Sequence, residues 1–384
     1  AYVRRIYQIL DKVIGGSIPL VLAVAGPITI SNQHRAWLNA LVNAGWIASI
    51  TTTDAACYHD GHDSLRPFDE RPIREVEIEG RDLEYAEAGV IRVTDTGFEE
   101  RILFEQDAMI STLLRRPEFQ RRMAGPEFRN LLGKQYAAQE KKHGIQPGLL
   151  STCLRNGVPV FVGSPGDGSA YLNHLKLWAL AQGGGRIKHA FELDVAAEVF
   201  EFCAYHWWGI NNGPKQLAIL ILGGGVPKNF SLQPEPTLSQ IFLLPDVRGY
   251  DYDVQIVGAP VTDGSLTSCK PCEAHTWGKV KKEALGSTVE SFQADYTTIM
   301  PLIAWALLDK RRRYLKMMEE SFGYSRHDFF EQHPDAWGYM RENGGFRLYD
   351  KRAELMETLM QRIRRPAHVK KLAKTWQFPL ATSK

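Results

Sequence analysis

The chain has 384 residues, 44% of them hydrophobic, and a formal net charge of +2. That content fills a large core, in one α/β domain with additions or in two domains, and the near-neutral charge gives no general argument for nucleic-acid or membrane binding. There is no apolar run of about 18 residues to cross a membrane, the opening Ala1 to Arg5 lacks a secretory pattern, and five cysteines, few and odd in number, suit a reducing, cytoplasmic setting.

Taken in chain order, residues 19–25 form an apolar run ending in a turn with Gly26, Thr29 and Ser31. Residues 33–44 then carry Trp37, Leu38, Leu41 and Val42 at helical spacing. A second run, 46–50, leads to Thr53 and Asp54. Residues 58–145 read as a charged insertion with a helical stretch near 104–115. Further apolar runs at 158–162, 217–222 and 254–257 end in turns with Asp167, with Gly223-Gly224-Gly225, and with Gly258, Ala259 and Asp263. Continuous apolar runs without polar alternation are what strands covered on both faces look like. Their alternation with helical stretches predicts a Rossmann-like parallel sheet with helices on both faces. Residues 309–384 read as a charged, helical and basic C-terminal extension, in which Leu355, Leu359 and Ile363 share one helix face.

In such sheets ligands bind at the carboxyl ends of the strands, where these polar turns fall. Glycine lets the backbone approach a phosphate, and an acid at a strand end accepts hydrogen bonds from ribose. The first loop is not the G-x-G-x-x-G fingerprint. The turns together point to a nucleotide but do not identify a reaction.

Chemistry enters with Glu273-Ala274-His275-Thr276-Trp277-Gly278-Lys279. Burial against Trp277 and positive charge from Lys281 and Lys282 are both expected to lower the Lys279 pKa and free its amine to attack a carbonyl or imine. Glu273 is positioned in sequence to hold a cationic amine. The segment Tyr58-His59-Asp60-Gly61-His62-Asp63 is dense in ligand-type side chains, but neighbours on one loop rarely converge on a metal, so no metal site is expected. It reads as a polar loop or, through His59, as a proton shuttle titrating near neutral pH. Cys269 and Cys272 have redox or zinc spacing without a second pair, and read as loop thiols.

The Lys279 segment resembles the deoxyhypusine synthase family around its active lysine, and the resemblance runs from about residue 18 to 308. It is also specific at Leu222-Gly223-Gly224-Gly225-Val226-Pro227-Lys228, Asp167-Gly168-Ser169 and Asp263-Gly264-Ser265, and continues at Ala294-Asp295. The resemblance implies an NAD-binding catalytic domain over 1–308 and a homotetramer with active sites between subunits. It implies an aminobutyl transfer in which Lys279 forms an imine. Trp277 and Glu273 would line the amine pocket, while Gly26, Thr29, Ser31, Thr53, Asp54, Asp167, Gly224, Gly258, Ala259, Asp263 and Asp295 would lie along NAD. The departures fall on the substrate side. His59 stands for a family glutamate, Asn229 for a pocket histidine, and Leu172 and Leu266 for two aspartates. Fewer carboxylates suit a less charged amine, as in bacterial-type members that act on putrescine to make homospermidine. The alternatives are transfer to a protein lysine, or a non-catalytic NAD- or amine-binding relative.

Overall fold

The computed structural model describes residues 1–67, 73–211, 214–320, 326–341 and 345–380. The five apolar runs form β1 (Leu20–Val24), β2 (Ile47–Thr52), β3 (Val160–Val162), β4 (Ala218–Leu222) and β5 (Tyr252–Val257). Every residue of β1 to β4 is buried. A sixth strand, β6 (Val289–Gln293), is only half-buried and closes one edge. The strands are parallel and lie in the order β6-β5-β4-β1-β2-β3. Numbered from the other edge this is 3-2-1-4-5-6, the doubly wound order, whose direction reverses between β1 and β4.

The labelled helices are α1 (Tyr2–Gly15), α2 (Ser169–Ala181), α3 (Val195–Asn211), α4 (Gly225–Leu232), α5 (Pro271–Thr276), α6 (Tyr296–Glu320), α7 (Arg352–Ile363) and α8 (Pro366–Trp376). Strand side chains alternate between faces. Leu20, Leu22 and Val24 therefore join a core with Ile6, Leu10 and Val13 of α1 and Met300, Ile303 and Leu307 of α6. Val21 and Ala23 join the opposite core with Phe202 of α3 and Leu355 and Leu359 of α7. Burying a leucine contributes about 1.5–3 kcal/mol, so α7 is bound to the sheet by the same force as α3. Positions 308 and 309 lie inside α6, one continuous helix, so the chain passes the expected domain boundary without a break.

The polar insertion has structure that its composition does not announce. Arg74–Glu75, Thr96–Glu99 and Val90–Val93 form a small antiparallel sheet. Helices Arg101–Leu114 and Gly125–His143 follow it. None of the described helices is long and apolar enough to cross a membrane, and all five cysteines are free thiols.

Candidate active site

Lys279 is held by its backbone. Its N–H donates to Ala274 at the end of α5, 3.1 Å, and its carbonyl accepts from Tyr250 N, 3.0 Å. Gly249 lies against the Lys279 carbonyl so closely that a Cβ there would come within 2.1 Å of it. Between α5 and Lys279 the chain turns at Gly278, whose φ of +78° is left-handed. A side chain at Gly278 would also meet the Glu235 carboxylate, with contacts of 2.9–3.0 Å. Glycine is required here both for its backbone freedom and for space.

With the backbone fixed, the side chain of Lys279 enters a cavity of about 510 Å³. Asn229, Leu266, Cys269, Glu273 and Trp277 also line it. The ammonium nitrogen lies 5.7 Å from the centre of the Trp277 ring. Burial lowers the Lys279 pKa, against the opposing pull of Cys269 and Glu235. The expected help from Lys281 is absent, because Lys281 turns away and pairs with Asp251. Trp277 is 61% exposed, so in a single chain it covers only part of the amine.

Two further groups surround this cavity. Glu235 is 6% exposed, its Oε2 has no hydrogen-bond partner, and burial raises its pKa. Lys228 is 2% exposed and donates to Gln255 Oε1, 2.8 Å, and to the carbonyls of Thr267 and Cys269. It ties the 267–269 loop, and with it one side of the cavity, to β5. The sequence reading gave neither residue a role. Glu235 sits in Pro234-Glu235-Pro236, and an acid flanked by prolines is its sole local signal.

The expected nucleotide residues fall at the strand ends but divide by role. Ser31 and Asp295 line a second cavity of about 610 Å³, with Ala25 beside the end of β1 and one edge of the small antiparallel sheet. Asp295 accepts from Thr297 N, 2.9 Å, at the start of α6. Gly223 and Gly224, with φ of +66° and +76°, turn at the end of β4; a Cβ on Gly224 would lie 3.3 Å from Ala25. Gly225 in turn faces Thr267 and Leu266, the latter lining the lysine cavity. This turn thus sits at the β1–β4 switch point and adjoins both the Ser31–Asp295 cavity and the lysine cavity.

Other residues are occupied with holding these turns. Gly26 packs on Thr53, where a Cβ would come within 2.3 Å of Oγ1. Thr29 is buried and donates to Ala56, 3.0 Å. Asp54 is 1% exposed and accepts from Ala170 N, 2.8 Å, at the start of α2. Burial pushes its pKa up to about 6, against Arg129 and two backbone N–H groups. Asp263 accepts from Ser265 and Ser268 within its own turn, and these bonds hold its pKa down. Asp167 and Gly258 are exposed, and Ala259 is half-exposed.

His59 does not join the lysine cavity. It packs against His62 and Phe98, with ring centres 4.8 and 6.1 Å away. Burial pushes its pKa down to about 4, which corrects the expectation of titration near neutral pH. Its neighbours diverge: Asp60 accepts from Leu149 N and Leu150 N, 2.7 and 2.8 Å, and Asp63 pairs with Arg35. Among the described residues no three His, Cys, Asp or Glu side chains gather to hold a metal. Leu172 is likewise outside the cavity, 44% exposed on α2.

Residues 2–307 match the deoxyhypusine synthase family profile. The deoxyhypusine synthase-like protein of Nostoc punctiforme is 35% identical over 81% of this chain and 76% of its own length. The deoxyhypusine synthase-like protein of Thermosynechococcus vestitus is 32% identical over 94% of this chain and 80% of its own. The probable deoxyhypusine synthase 2 of Methanosarcina mazei is 26% identical over 76% of this chain and 77% of its own. The lysine cavity beside a doubly wound crevice is thus carried by a chain that belongs to the deoxyhypusine synthase family.

Proposed function

We propose that this protein is an NAD-dependent aminoalkyl transferase of polyamine metabolism. It takes an aminobutyl group from a donor such as spermidine onto Lys279 and passes it to a small amine such as putrescine, giving homospermidine. The observation that carries this reading is the convergence of a half-buried lysine of lowered pKa with Glu273, Trp277 and Asn229 in one cavity.

The crevice suits a dinucleotide: side-chain-free Gly223 and Gly224 border Ala25, and Ser31 and Asp295 line the adjoining space. Bound NAD would supply the hydride acceptor for amine oxidation and return the same hydride at the end. The neutral amine of Lys279 attacks the C=N carbon of the oxidised donor, and the original imine nitrogen takes the proton and leaves as the amine of the donor's remaining fragment. The aminobutyl group is then held as a lysine imine, which keeps the electrophile from escaping. An acceptor amine attacks that carbon, and Lys279 departs as the free amine. Glu273 holds the cationic end of the substrate, and Trp277 presents its ring to it. Apolar Leu266 in the lining favours a small acceptor over a polycation.

A second copy of the chain completes the site. Leu172, Leu175 and Trp178 of α2 and Leu302 and Trp305 of α6 are 44–66% exposed. Such apolar surface suits burial in the homotetramer, and it would bring α2 and the His59 segment of one copy toward the cavity of another. The five free thiols suit a cytoplasmic setting.

The test is product analysis with labelled spermidine, NAD and putrescine. Labelled homospermidine, lost in Lys279→Ala, is the expected result. Label on a translation-factor lysine instead would establish the protein-acceptor alternative. NAD binding with no product from any amine would leave a non-catalytic relative.

A further inference from the structure

α8 has no fully buried side chain, with Val369, Leu372 and Ala373 half-buried. Three polar side chains anchor it. The His368 Nε2–H donates to the Phe242 carbonyl, 2.7 Å, Lys371 Nζ to the Leu243 carbonyl, 2.9 Å, and Trp376 Nε1 to the Ile241 carbonyl, 3.0 Å. The three acceptors are consecutive. They close the helical run from Pro234 through the π-turn Thr237–Ile241, where Phe242 N still donates to Thr237 O. The last carbonyls of a helix have no partner within it and carry partial negative charge. A lysine and two N–H donors from α8 therefore meet groups that need donors. Leu243 leaves the run with a left-handed φ of 51°, which ends the helix abruptly.

The same run forms one wall of the lysine cavity, through Pro236, Thr237, Gln240 and Ile241. α8 lies beyond residues 2–307, the part that matches the family.

We propose that α8 is a specificity-determining element. By holding the carbonyls of Ile241, Phe242 and Leu243, it fixes the Pro236–Ile241 wall and sets the length of aliphatic amine that reaches Lys279. His368, Lys371 and Trp376 are positioning residues and touch no substrate. The amine-length part rests on the reading of Lys279 given above, whereas the clamping of the wall does not.

The test uses the full chain and the triple variant His368→Ala, Lys371→Ala, Trp376→Phe. Site-resolved hydrogen exchange is followed over residues 238–244, and iodoacetamide labelling at Cys269, which lines the cavity. Loss of these hydrogen bonds is expected to speed exchange in that segment by about tenfold and to raise Cys269 labelling, with the β1 and β4 amides unchanged. With amines of increasing chain length, KM shifts toward longer substrates while kcat for the best one holds. Lys371→Arg, which keeps a donor, behaves as the parent. Unchanged exchange and labelling overturn the clamp. Turnover in both proteins with one amine profile overturns the specificity role while the lysine chemistry stands. Altered exchange in the variant, with a parent that turns over no amine, leaves the clamp intact and removes the lysine reading and the amine-length role with it.

Discussion

Replacing Gly278 by alanine sets backbone chemistry against the site directly. The residue sits at φ +78°, and its new Cβ would meet the Glu235 carboxylate at 2.9–3.0 Å. A left-handed backbone costs a residue with a Cβ about 1–2 kcal/mol. The contact falls a few tenths of an ångström short of comfortable, and Glu235 Oε2 has no hydrogen bond to lose on moving. Its cost therefore lies near the low end of overpacking, about 1 kcal/mol. Together these predict a loss of about 2–3 kcal/mol, read by urea denaturation followed by circular dichroism. On a Glu235→Ala background only the backbone part remains, and Gly278→Ala should cost about 1–2 kcal/mol, so the difference isolates the contact. The displaced turn should also slow imine trapping at Lys279. A loss below about 0.5 kcal/mol, within the range of an ordinary surface change, would mean that neither the backbone nor the Glu235 contact resists a side chain at position 278.

Acylation of Lys279 should titrate below the usual 10.5, because burial lowers its pKa, and Lys281→Met should leave that titration where it was; a midpoint at or above 10.5 would contradict this. Asp54 binds its proton more tightly when folded, so its contribution is most favourable below its ordinary 3.8 and is lost as pH rises through about 6. The loss amounts to about 3 kcal/mol for the upward shift from 3.8 to about 6. Denaturation from pH 4 to 7 should therefore show a flatter profile for Asp54→Asn, and parallel profiles would count against a buried carboxylate. His59 should stay neutral down to about pH 4, and an NMR titration with a midpoint near 6.5 would disprove its burial.

The sheet was legible because its strands are buried on both faces and so read as unbroken apolar runs. β6 was not, since half-exposed Val289–Gln293, with Glu290 and Ser291 inside it, carries no such run. The small sheet over residues 74–99 was hidden for the same reason, its strands being short and mostly exposed or half-exposed. At the site, Lys279, Trp277 and Glu273 were legible from one local segment. Glu235 and the Pro236–Ile241 wall were not, because no spacing in the sequence ties them to residue 279 and tertiary packing alone brings them there. Asp54 was read as an acid closing a strand; the strand ends at Thr52 and Asp54 opens the next helix, and its partner, Ala170 N, is 116 residues away. No local pattern reports that its carboxylate is already engaged.

In this chemistry one amine, that of Lys279, captures the oxidised substrate. Borohydride added to the protein with NAD and spermidine, followed by peptide mass mapping, tests it most directly. An aminobutyl adduct confined to Lys279, dependent on NAD and missing from Lys279→Ala, is the predicted result. Full turnover with no adduct at Lys279, or an adduct on another lysine, would contradict it.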